Sequence, residues 1–143
     1  MSWWPWATRS RCIASMIDRK PAPLDPLSRE VVVMTMATRN DCHVCVETHT
    51  AKLVSLGAAP ELVTALRTPG EQPLPDERLE GVRRFTLAAL ETSGAVGHDA
   101  LRAFLALGHT ERNALEVVLG IGAYTLSTLA NRMTGAPMET VPA

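Results

Sequence analysis

The segment NDCHVCVETHT, residues 40 to 50, holds Cys42, Cys45 and His49 at offsets of 0, 3 and 7. At about 100° per residue these positions fall in one stripe of a helix, so two thiols and an imidazole can meet. That set of groups supports different chemistries. A thiolate beside a second thiol can attack an electrophile and then be trapped as a disulfide. The same groups are competent zinc ligands, although a structural zinc usually takes four and the remaining cysteine, Cys12, lies in a distant proline-rich stretch. The blandest alternative is that both cysteines pack as small hydrophobes.

Two influences could activate a thiol here. Asn40 or Asp41 can cap a helix beginning about Cys42, and the unpaired N–H groups and dipole of its first turn favour a thiolate at Cys42. Cys45 and His49, four apart, are neighbours on the helix surface and can exchange a proton. The dipole thus favours Cys42 and the imidazole favours Cys45. His43 points away from the stripe. Glu30, at the head of EVVVM, has a simple structural role as a favourable charge near the N-terminus of a helix capped by Ser28.

Together Glu30, Cys42, Cys45 and His49 form the pattern E-x11-C-x2-C-x3-H, which resembles the motif of the alkylhydroperoxidase D family within the carboxymuconolactone decarboxylase superfamily. The resemblance extends through THTAKLVSLGAAPELVTAL and into LEVVLGIGAYTLSTLANRM. It implies an all-helical fold with the CxxC heading a helix and Glu30 beside the cysteines. It also implies cofactor-free thiol peroxidase or disulfide oxidoreductase chemistry. Cys45 would attack the hydroperoxide, Glu30 and His49 would relay its proton, and Cys42 would resolve the sulfenic acid to a disulfide. A dithiol donor, such as a dihydrolipoyl group on a partner protein, would restore the thiols, and the family habit is a homo-oligomer, trimer or hexamer. The chain departs from the family at Val44, where His or Tyr is common, and carries a histidine one position earlier at His43. Two other functions stay open: the lactone decarboxylation that names the superfamily, which needs no CxxC, and a zinc-binding or redox-sensing helical module.

These residues must be positioned by helices. With 143 residues, 46% hydrophobic and only 4% aromatic, the chain suits one compact all-α domain packed with Leu, Val, Ala and Met. About six helices are expected. Residues 1–27, with SWWPW and several prolines, read as an irregular arm, 28–137 as the helical domain and 138–143 as a tail. Ser28 caps REVVVMTMATRN, whose valines would suit a buried strand almost as well. A second helix ends at Gly57, Pro60 opens PELVTALR, and TPGEQPLPDE is a linker. Helices follow from Asp76 to Thr92, from Asp99 to Leu107, and from a Thr110 cap to Gly135.

Gly120 and Gly122 imply close approach by another helix or by the site. Tyr124 and Asn131, seven apart, could reach the motif, but a core position with a buried hydrogen bond is the commoner role. Met34, Met36 and Met133 read as core filler, and His98 and His109 as exposed boundary residues. A net charge of -1 and a pI near 6.4 leave no electrostatic footprint for nucleic acid or an anionic membrane. The longest apolar runs, Val31 to Met34 and Leu115 to Leu119, are far short of the roughly 20 residues of a membrane span. The start lacks a basic segment before an apolar one, so no secretory signal is expected. An odd number of cysteines then points to a reducing, cytoplasmic setting.

Overall fold

The computed structural model describes residues 23–68 and 72–138, and these form six helices with no strand among them. In chain order they are α1 (Pro26–Arg39), α2 (His43–Ser55), α3 (Pro60–Arg67), α4 (Glu77–Glu91), α5 (Gly97–Ala106) and α6 (Glu111–Thr134). Most of the arm, residues 69–71 and nearly all of the tail lie outside the described residues, as do SWWPW and Cys12.

The ambiguity of EVVVM resolves to helix because α1 is surrounded. It packs against α2, α3, α4 and α6, and every residue from Glu30 to Ala37 is buried. Burying each valine is worth about 1.5–3 kcal/mol, more than the helix propensity it lacks, which is under about 1 kcal/mol. Its start corrects the sequence reading. Pro26 occupies the first turn and Asp25 is the cap, its carboxylate accepting from the Ser28 N–H at 2.9 Å and the Ser28 hydroxyl at 2.7 Å. Ser28 is therefore a capped residue rather than the cap. Ahead of it, Leu24, assigned to the arm from sequence, is buried in the core and donates its N–H to Glu116 at 2.6 Å.

Most other boundaries follow the expected punctuation, although α5 begins at Gly97 rather than Asp99 and Cys42, not Asn40 or Asp41, is the cap of α2. Asp76 accepts from the Leu79 N–H at 2.9 Å, Thr110 and Asn113 form a reciprocal capping box, and Gly135 closes α6 at φ 60°. The presumed linker is tied down at Leu74, which is buried and donates its N–H to Glu80 at 3.0 Å. Gly120 meets the expectation of close approach, since a Cβ there would lie 2.9 Å from a Val32 methyl, whereas Gly122 faces open space.

α6 is the element whose exposure the sequence reading missed. Leu115, Leu119, Leu126, Leu129 and Met133 are all exposed, with Met133 at 85% rather than in the core. The helix is long and apolar enough to cross a membrane by length and composition, with 22% of its most apolar window buried. His109 errs the other way: it is buried, stacks on Phe104 at 4.3 Å between ring centroids and bonds the Arg78 carbonyl through Nε2 at 3.2 Å. Its Nδ1 has no hydrogen-bond partner among the described residues.

Candidate active site

Three residues, Asn40, Asp41 and Cys42, join α1 to α2. Asn40 ends α1 and Asp41 takes a left-handed φ of 51°, which an acidic side chain tolerates better than most. Cys42 follows as the cap residue of α2 itself. Its N–H donates to the Ala37 carbonyl at 2.9 Å and its carbonyl accepts the first helical bond from Val46, also at 2.9 Å. No side chain caps this helix, so the N–H groups of its first turn surround the sulfur-bearing end. Both cysteines are free and buried, packed with Ala37, and their sulfurs are 2.9 Å apart.

α1 brings Glu30 to the same region, about three turns back from the connection. It is buried, and its Oε2 lies 2.7 Å from Nδ1 of His49 on α2. The role of a solvated helix-start charge is therefore excluded by its contacts. With Glu30 accepting at Nδ1, the free ring nitrogen is Nε2. Tyr124 of α6 meets the imidazole edge-on, with ring centroids at 5.2 Å and planes at 85°. The expected direct pair of Cys45 and His49 is not hydrogen-bonded among the described residues. Cys45 is engaged instead by Cys42 and by α6.

That contribution from α6 was underweighted in the sequence. Asn131 Nδ2 donates to Cys45 Sγ at 3.3 Å, and the Ser127 hydroxyl also bonds that sulfur. The available signal was a polar stripe, Tyr124, Thr128 and Asn131, along one face of the helix. Thr128 completes it by accepting from Asn40 Nδ2 at 2.8 Å, while Arg132 donates to the Asn40 carbonyl and lies 3.6 Å from Asp41. These bonds fasten α6 to the strained connection that carries Cys42.

Burial pushes the Cys45 thiol above its ordinary range, and the adjacent Cys42 sulfur adds to that push. Asn131 and Ser127 pull the other way by donating to the sulfur. Tyr124 is also raised, first by burial and then by the charges of Glu30 and Cys45, so it stands beside the imidazole as a neutral phenol. His43 is exposed, 3.9 Å from Asp41, and His98 is exposed as expected. No group of three or more His, Cys, Asp or Glu side chains suited to a metal occurs among the described residues.

Side by side, then, stand a free buried dithiol and a carboxylate–imidazole pair. The chain is similar to a solved structure from Silicibacter sp. TM1040 described as an uncharacterized peroxidase-related protein. The two agree with a TM-score of 0.72 at 16% identity, over 94% of this chain and 72% of that one. It shares that protein's all-helical fold. No family model and no curated protein matches the sequence.

Proposed function

We propose that the protein is a cofactor-free thiol peroxidase or disulfide oxidoreductase. The observation that carries this reading is the Cys42 and Cys45 pair, sulfurs 2.9 Å apart with both thiols free of a disulfide, with the Glu30–His49 pair on the neighbouring turn. Cys45 thiolate attacks the hydroperoxide oxygen distal to carbon. The O–O bond breaks, Cys45 becomes a sulfenic acid and the departing alkoxide takes a proton to leave as an alcohol. The Cys42 thiol then displaces the sulfenic hydroxyl, giving a Cys42–Cys45 disulfide and water. A dithiol donor, a dihydrolipoyl group or a comparable small dithiol, takes over the oxidation and returns both thiols.

Because burial disfavours the Cys45 thiolate, attack needs a base. Glu30 orients His49, and Nε2 collects the thiol proton through a bridging water and returns it to the leaving alkoxide. Asn131 and Ser127 stabilise charge on the same sulfur, which favours Cys45 over Cys42 as the attacking atom. A dithiol that must be regenerated suits a reducing, cytoplasmic setting. The enzymatic test is hydroperoxide turnover with a dithiol donor. Activity should vanish in Cys45→Ser and Cys42→Ser; turnover retained in the double cysteine variant would refute the reading. A carboxymuconolactone assay on that same variant tests the lyase alternative, which needs neither thiol.

The protein also acts as a homo-oligomer on this reading. The exposed residues Leu115, Leu119, Leu126, Leu129 and Met133, with Gly122 between them, repeat at alternating spacings of four and three along α6. That is the seam against which another helix packs.

A further inference from the structure

A cavity of about 560 Å³ lies between α1, α2 and α6, with Glu30 and Tyr124 in its wall. Val32, Val33, Leu119 and Ala123 make it mainly apolar, and Arg29 and Lys52 also line it. The arginines of α3 to α6 are all held in ion pairs. The side chains of Arg29 and Lys52 have no ion-pair or hydrogen-bond partner among the described residues. The two carboxylates of the cavity are engaged: Glu30 by His49, and Glu116 by the Leu24 N–H, Asn113 and Arg112. The cavity therefore offers apolar walls and two cations that no described side chain engages.

Its position relative to the thiols follows from helix geometry. Cys45, His49, Lys52 and Leu56 share one stripe of α2 at offsets 0, 4, 7 and 11, and the last two line the cavity. Lys52 stands about 10 Å along the axis from Cys45, with His49 between them. On α6, Ala123 and Tyr124 line the cavity and Ser127 and Asn131 reach Cys45. The cavity and the dithiol are thus two ends of one axis, with Glu30, His49 and Tyr124 at the join.

We infer that this cavity binds an amphiphilic carboxylate, its acid group on Arg29 and Lys52 and its apolar chain running toward Glu30 and Tyr124. Resting on the peroxidase reading for its reacting end, the inference names the substrate class as an organic hydroperoxide carrying a carboxylate about 10 Å from the peroxide. The chain threads the apolar wall, and the charge at the far end fixes which end reaches the dithiol. Small neutral hydroperoxides lack that anchor.

The test has two arms. Octanoate titrated into the reduced protein should shift NMR signals of Arg29, Lys52 and the cavity wall, and its affinity should fall about tenfold in Arg29→Gln/Lys52→Gln. The ω-hydroperoxide of octanoate should oxidise the thiols about tenfold faster than its methyl ester, with that ratio falling to near one in the same variant. Equal rates for acid and ester in the unaltered protein, or a preference that survives the double substitution, would overturn the inference. If neither hydroperoxide consumes thiols, the peroxidase reading fails. The octanoate arm then decides the binding site by itself: cation-dependent shifts uphold it, and their absence overturns it.

Discussion

The Cys45 thiol sits under opposing influences: burial and the Cys42 sulfur hold its proton on, while Asn131 and Ser127 favour its loss. The balance is upward, so the thiolate fraction grows with pH beyond the ordinary cysteine range near 8.5. Alkylation of Cys45, followed by mass mapping against pH, should therefore have its midpoint above that of an exposed thiol. Asn131→Ala should move the midpoint higher, because a donor to the charged form is lost. Glu30→Gln should cut peroxide turnover by about 10²-fold, the lower range for loss of general acid–base assistance, while the dithiol stays oxidisable. At this scale the closeness of the Cys42 and Cys45 sulfurs was legible from their spacing, whereas the contact it suggested between Cys45 and His49 is replaced by a bond from His49 to Glu30. Asn131 was legible only as one of two alternatives, since an amide on a helix looks the same in sequence whether it meets a core carbonyl or a sulfur. Glu30 was legible only by resemblance, because its partner lies nineteen positions away on another helix.

Among the elements, α1 is the post around which the site is hung, and its first turn is where it is most open to test. Burial raises the Asp25 carboxyl, but Arg78 and the Ser28 N–H and hydroxyl outweigh it and bring the group down to about 2. The folded state thus prefers the charged form. The stabilisation is present above the unfolded value near 3.8 and is lost as pH falls toward about 2. Discounted for its partial exposure, Asp25→Ala should cost about 1 kcal/mol near neutral pH, read from chemical denaturation. The start of α1 was misread because Pro26 looked like the end of an irregular arm, whereas a proline after an aspartate equally opens a helix. Most other boundaries were legible because Gly57, Pro60, Asp76, Thr110 and Gly135 each impose a local geometry. Burial was harder to read. The composition of α6 contains the apolar residues of a core helix, and only the packing of its neighbours decides which of them face out.

For the whole molecule, the apolar seam of α6 and the buried His109 belong to the same question of how this small core is completed. Leu126→Glu with Met133→Glu should shift the protein to a smaller species in sedimentation or light scattering while leaving helix content intact. An unchanged mass would remove the seam as an oligomer contact. His109 is held neutral chiefly by burial, although the Arg78 carbonyl and Asp25 favour its protonated form. Folding stability should then be full above pH about 6.5 and decline as pH falls below it. In thermal melts between pH 7 and pH 5, His109→Phe should flatten that slope. Reduction of peroxide by the dithiol is decided in a single turnover. The protein is reduced, freed of reductant and metal, and given one equivalent of an organic hydroperoxide, with thiol loss followed and the cysteines mapped. The account expects rapid loss of two thiols and a Cys42–Cys45 link, whereas slow, unselective oxidation without that link would contradict it.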